Sequence, residues 1–244
     1  MKTNFNSRIL YEDNHLIVIN KLPGELVQGD KSGDKTLIDD VTSFLRHKYD
    51  KKGNVYLGVV HRLDRPTSGI VIYAKTDKAL SRMNELFREG SSIKRYYWAV
   101  VDKMPPSEDG TLVHYLTKES SKNKSYASLK ERKKSRQGRL NYKVIGASKS
   151  FFLLEVELLT GRHHQIRAQL AAVGVHIKGD LKYGFKRSNS DGSIHLHSRK
   201  VSFIHPIKKE LLTIEAPPPT EPLWDYFFSF AGEKDASYWK LESI

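Results

Sequence analysis

The sequence predicts an α+β fold on a large, mainly antiparallel sheet flanked by helices and loops. Runs rich in β-branched and aromatic residues outnumber the helical segments, and the helices are interspersed among them without regular βαβ alternation. The 244 residues, 39% hydrophobic and 10% aromatic, suffice for one large or two modest domains with a real core.

The elements follow in chain order. The run LIVIN (Leu16 to Asn20) reads as a strand that stops at the turn signals of KLPGE, and Asp30 to Lys35 reads as loop. Thr36 opens a helix: Thr36-x-x-Asp39 forms a capping box, and Leu37, Val41, Phe44 and Leu45 recur at helical spacing to about Tyr49. Ile70 to Ala74 is a strand, and a second helix follows. Asp77 is its expected N-cap, Leu80, Met83, Leu86 and Phe87 form its apolar stripe, and Gly90 stops it. Four strands are expected at Tyr96 to Val101, Thr111 to Leu116, Leu140 to Ile145 and Phe151 to Leu159. A third helix spans His163 to Val173 and ends at Gly174. Strands at Arg199 to Ile204 and Leu211 to Ile214 come last, before the proline-rich APPPTEP forbids regular structure.

Charge narrows the partner. A net charge of +13 and a pI near 9.6 favour a polyanion, nucleic acid ahead of an anionic membrane. No long basic amphipathic helix supports the membrane alternative. The absence of cysteine excludes disulfides, thiolate metal sites, iron–sulfur clusters and a cysteine nucleophile. No signal-peptide core or membrane-spanning run is visible, so a cytoplasmic protein is expected. The densest positive stretch, Lys118 to Lys143, holds ten lysines and arginines against two glutamates. It reads as a solvated hairpin or loop whose serines and Gly138 imply mobility, ordering on phosphate contact; Lys130, Lys133, Lys134 and Arg136 are its expected nucleic-acid contacts.

The segment HRLDRPTSG, from His61 to Gly69, sets a carboxylate, Asp64, between Arg62 and Arg65. Such an acid is most often a local ion pair or a cap. His61-x-x-Asp64 offers half a metal site, but no HExxH or carboxylate cluster completes it. No Ser-His-Asp order, P-loop or dinucleotide fingerprint occurs, so neither cofactor nor metal is expected.

HRLDRPTSG resembles the signature of the RluA-type family of RNA pseudouridine synthases. Further segments resemble that family in order: INKLPGELV, with Leu22 and Glu25 as departures; RYYWAVV; LLTGRHHQIRAQLAAVGVHIKGDLKYG, with His163 where threonine or lysine is usual; and LHSRKVSFIHP. The resemblance covers about residues 8 to 220. It implies a single catalytic domain over 1–244, with a C-terminal extension at 221–244, and the family's sheet with a central active-site cleft. Many members carry a separate RNA-binding domain ahead of this core. The early first strand implies that here the catalytic domain's own basic surface holds the RNA.

By this resemblance the chain is a cofactor-free isomerase that breaks the N-glycosidic bond of a uridine in ribosomal or transfer RNA and rejoins the base through carbon. Asp64 is then the catalytic carboxylate, acting covalently or by assisting elimination, and Arg167 of HQIR is its ion-pair partner. Tyr97 stacks on the flipped uracil, unless the register slips by one and Tyr96 takes that role. Arg62 fills the vacated stack, while Arg65 and His61 hold the loop or touch phosphate. His164 is expected to pack or hydrogen-bond, His163 to be peripheral and Asp180 to be structural. The expected partner is RNA, with no membrane, no obligatory protein partner and a monomeric state. A catalytically silent RNA-binding or ribosome-assembly factor on the same fold is the alternative.

Overall fold

The computed structural model describes residues 5–30, 33–90 and 92–231. The chain forms two compact units, Met1–Lys94 with Ser198–Pro217, and Arg95–His197 with Pro218–Ile244.

In the first unit, β1 (Ile9–Glu12), β2 (Leu16–Lys21), β4 (Ser68–Ala74) and β10 (Leu196–Ile204, of which 198–204 belong here) lie side by side. The short β3 (Gly58–Val59) pairs with the end of β4, and β11 (Leu211–Glu215) pairs with β10. Both faces of the central strands are covered. Leu16, Val18, Ile70 and Ile72 pack with Ala79 and Met83 of α2 (Asp77–Glu89), whereas Ile17, Ile19, Val71 and Tyr73 pack with Leu37, Val41 and Leu45 of α1 (Leu37–Lys48). A strand buried on two faces needs apolar residues at every position, which is why LIVIN and IVIYA show no alternation.

The second unit is an antiparallel sheet in the order β5 (Ile93–Val101, of which 95–101 belong here), β9 (Phe152–Leu158), β8 (Arg136–Ala147), β6 (Asp109–Glu119) and β7 (Lys124–Ser128). One face carries α3 (Gln165–Ala172): fully buried Gln169 donates from Nε2 to the carbonyls of Leu112 (3.1 Å) and Gly138 (3.2 Å). On the other face Trp98, Val100 and Leu153 pack with Trp224 and Phe227 of α4 (Pro222–Ala231).

The α+β class and the antiparallel pairings agree with the expectation. The Thr36–Asp39 capping box is present in both directions, and Gly90 ends α2 at φ 75°. Four details differ. Thr76, not Asp77, caps α2, because its hydroxyl accepts the Ala79 N–H (3.3 Å). The third helix begins at Gln165 rather than His163, because His164 takes the left-handed conformation (φ 52°). Of the two readings of the basic stretch, hairpin or loop, the hairpin holds for most of it: Lys124–Ser128 and Arg136–Ala147 are strands paired with β6, and only their connection is loop. Gly138 is no hinge there; it lies in β8, where a Cβ would meet Leu116 Cδ1 at 2.6 Å. Finally, the last proline of APPPTEP starts α4. Proline suits a first helical position, and Glu221 ahead of it accepts the N–H groups of Leu223 and Trp224. Of the expected loop Asp30 to Lys35, residues 31 and 32 lie outside the described residues, as do 232–244 of the C-terminal extension.

Candidate active site

Asp64 sits half-buried in a tight turn of the first unit whose backbone is closed by the Thr67 N–H donating to the Asp64 carbonyl (3.0 Å). A second turn, KLPGE, laces onto it. The Gly24 N–H donates to the Arg65 carbonyl (2.8 Å), and Arg65 Nε donates back to the Gly24 carbonyl (3.0 Å). Gly24 has φ 86°, a conformation that glycine adopts without strain.

Beneath both turns lies Lys21, fully buried, whose Nζ donates to the carbonyls of Thr67 (2.6 Å), Leu22 (3.0 Å) and Arg65 (3.1 Å). Burial pushes its pKa down to about 7, against the opposing pull of the Glu25 and Asp64 carboxylates. Glu25, a departure from the family pattern, anchors the KLPGE turn: it accepts the Leu22 N–H (2.9 Å) and pairs bidentately with Arg8 (2.9 and 2.5 Å). The exit from the Asp64 turn is equally constrained. Gly69 has φ 109°, and a Cβ there would meet the Ser198 carbonyl oxygen at 2.3 Å.

The neighbours of the acid divide by exposure. Arg62 is exposed. His61 holds the loop, since its Nε2 accepts the Ile72 N–H (3.2 Å) and its ring stacks on Phe87 (4.9 Å between centroids). Arg65 also holds the loop, adding an exposed ion pair with Asp34 (2.9 Å) to its bond with Gly24.

In the second unit the register separates the two tyrosines. Tyr97 lies opposite Val156, which itself lies opposite Tyr142, all three facing the side of the sheet covered by α3. Tyr96 points to the other face, beside Glu157; burial and the Glu157 and Glu155 carboxylates raise its pKa. Tyr97, not Tyr96, therefore shares a sheet face with the helix that carries Arg167.

Arg167 is buried at 5% exposure and forms a fork with Asp180, Nε to Oδ2 at 2.7 Å and Nη2 to Oδ1 at 2.8 Å. Asp180 is thus the acid that orients the arginine, in keeping with its expected structural role. Its own backbone accepts from Tyr183 (3.1 Å) and Phe185 (3.1 Å), which fixes the carboxylate's position. Tyr183 carries no sequence signal that would single it out. Its ring lies 4.9 Å from the Arg167 guanidinium carbon and 5.1 Å from Lys124 Nζ, and its hydroxyl bonds His164 Nδ1 (2.9 Å). Lys21 is hidden in the same way, because a lysine ending a strand ordinarily faces solvent. In both cases the deciding partners, Arg65 and Thr67 for Lys21 and Lys124, His164 and Arg167 for Tyr183, are remote in sequence, so no local spacing could disclose them.

His163 is not peripheral. Both its ring nitrogens bond the β6–β7 hairpin, to Ser125 Oγ (2.8 Å) and Asn123 Oδ1 (3.1 Å). Adjacent helical residues diverge, but the left-handed His164 lets the two rings stack at 3.8 Å. Lys130, Lys133 and Lys134 are exposed along the connection from β7 to β8, and Arg136 is exposed at the start of β8. That connection is itself shaped by a Ser135–Arg132 turn. Among the described residues no three His, Asp or Glu side chains converge as metal ligands, and no helix is long and apolar enough to cross a membrane.

Comparison with known proteins adds three findings. Residues 15–172 match the family model described as RNA pseudouridylate synthase. The chain is 33% identical over 221 residues to ribosomal large subunit pseudouridine synthase C of Buchnera aphidicola subsp. Baizongia pistaciae, covering 87% of this chain and 67% of that protein. It is 31% identical over 223 residues to ribosomal large subunit pseudouridine synthase D of Zymomonas mobilis subsp. mobilis, covering 87% and 69%. Among solved structures, human RNA pseudouridylate synthase domain containing 4 superposes with a TM-score of 0.77 at 22% identity, covering 93% of this chain and 94% of that one, a likeness of fold.

Proposed function

Because this chain belongs to the RluA-type family of RNA pseudouridylate synthases, and is an isomerase acting on RNA, we propose that Asp64 is its catalytic carboxylate and that its two units serve one catalytic domain. The substrate is a uridine in ribosomal or transfer RNA. Two relatives named for the large ribosomal subunit make ribosomal RNA the first substrate to test.

The reaction breaks the bond from ribose C1′ to uracil N1 and forms one from C1′ to C5; the proton at C5 leaves and N1 ends protonated. Nothing is oxidised or reduced. Asp64 acts by attacking the ribose or base, or by assisting elimination of the base. In either route the acid must be charged and held in one orientation. The observation that carries this reading is the locked turn around it: the Asp64 carbonyl accepts the Thr67 N–H, and the Arg65 and Thr67 carbonyls that follow are held by Lys21 and, for Arg65, by the Gly24 N–H.

Arg167 is its ion-pair partner. Asp180 holds the Nε–Nη2 edge of that guanidinium and so fixes its plane. Tyr97 stacks on the uracil and Arg62 fills the gap left by the everted nucleotide, at an unstacking cost of about a few kcal/mol. His61 and Arg65 keep the turn in shape while Lys130, Lys133, Lys134 and Arg136 contact RNA phosphates, with the enzyme acting as a cytoplasmic monomer. The test is a map of pseudouridine in RNA from a strain lacking the gene, complemented with the wild type or with Asp64→Ala. The wild type restores the missing sites and the alanine variant restores none. Full restoration by Asp64→Ala would instead identify a binding protein that does no chemistry.

A further inference from the structure

We infer that His163 is a positioning residue that clasps the β6–β7 hairpin to the start of α3 and thereby couples RNA held on the hairpin to the placement of Arg167. This inference rests on the assignment of Arg167 to the active site.

The clasp has two sides. On the hairpin, one imidazole engages two residues: Asn123, at the tip with φ 45°, and Ser125, in β7. With Asn123 Oδ1 accepting, His163 Nε2 carries the proton, so Nδ1 accepts from the Ser125 hydroxyl. On the other side, the His163 ring stacks on His164, and His164 Nδ1 meets the Tyr183 hydroxyl. That hydroxyl also accepts the backbone N–H of Ser125 (2.9 Å), so it bridges the hairpin and His164. The Tyr183 ring faces both Arg167 and Lys124. Every link between the hairpin and the guanidinium is therefore a hydrogen bond, a stacked pair or a cation over a ring.

The hairpin has supports besides the histidine. Strand β7 already pairs with β6 over five residues, from Tyr115↔Ser128 to Glu119↔Lys124, and Lys182 Nζ separately holds the tip carbonyls of Lys122 (3.4 Å) and Asn123 (3.2 Å). What the histidine adds is a fixed relation between the tip and the turn where α3 begins, four residues before Arg167. The hairpin carries Lys118, Lys122 and Lys124. A phosphate that settles on these cations pulls on the tip, and the clasp passes that displacement to α3. A shift of about 1 Å at a reacting geometry costs on the order of a hundredfold in rate, so a small correction suffices.

The experiment measures tritium released from total RNA that carries uridine tritiated at C5, prepared from a strain lacking the gene. Single-turnover rates are followed over a range of enzyme concentrations. His163→Ala should lower the saturating rate by about tenfold or more, with the half-saturating concentration changed by less than about threefold. His163→Gln, whose amide can donate to Asn123 and accept from Ser125, should recover the rate to within about threefold of wild type. Asn123→Ala, at the exposed tip, should reproduce most of the loss and supplies the test if His163→Ala does not fold. The inference is overturned if His163→Ala and Asn123→Ala react within about twofold of wild type, if the whole loss lies in half-saturation, or if glutamine does no better than alanine. Absence of tritium release by the wild type, or release by Asp64→Ala equal to it, would overturn the active-site assignment itself.

Discussion

Lys21 shows how much one side chain can hold. Three carbonyls from two turns converge on its ammonium, so Lys21→Met leaves them buried without a donor. That substitution should cost about 1–3 kcal/mol or more and loosen the turn around Asp64, lowering activity more than stability alone explains. The pH dependence has a definite sign. The folded-state pKa is about 7 against 10.5 for an unperturbed lysine. Between those values the unfolded chain binds a proton that the folded one has released. Stability therefore rises with pH across that window, by at most about 1.4 kcal/mol per unit from this group. Urea midpoints measured from about pH 7 to pH 10 should rise for the wild type relative to Lys21→Met; parallel curves would show that the lysine stays charged throughout. None of this is legible in KLPGE, where the lysine reads as an ordinary strand end. The candidate acid, by contrast, stands out through nine unusual consecutive residues.

Elements are legible where a local rule governs them. The capping box of α1 and the glycine stop of α2 depend on residues three or four apart, and both are present. The start of α3 depends instead on His164 adopting a left-handed backbone, where its ring bonds Tyr183 and stacks on His163, partners that local propensity does not announce. Likewise β7 is hidden because its lysines and serines have low strand preference; pairing with β6 overrides it. Two substitutions test this level. Gly69→Ala forces both a left-handed alanine and a backbone collision with Ser198, so the protein should be recovered largely insoluble or with a strongly lowered melting temperature. Glu221→Ala removes the acceptor for two α4 N–H groups and a partner of buried His195 (3.0 Å); a loss of about 1–2 kcal/mol is expected in denaturant titration.

For the whole molecule, the charge excess gives a partner class but not a site, and only the fold shows where the cations stand. Lys130, Lys133 and Lys134 are exposed on an ordered connection and Arg136 at the start of β8, so replacing all four with glutamine should weaken RNA binding without unfolding the protein. For every phosphate that is no longer neutralised, the slope of log affinity against log salt should also fall by about 0.7–0.9. Filter binding across a salt series with unmodified ribosomal RNA checks both; an unchanged slope would mark the segment as solvated surface. The first unit has a further property that no single strand reveals: its sheet is assembled from both ends of the chain, since β10 and β11 arrive only with Ser198–Pro217. On the ribosome, β4 must wait with one edge open until more than a hundred further residues have been made. Synthesis order thus acts as a timer: a nascent chain stalled before residue 198 carries the Asp64 turn but not the strand against which Gly69 is fitted, so the exit of that turn gains its final support only once Ser198–Pro217 has been made.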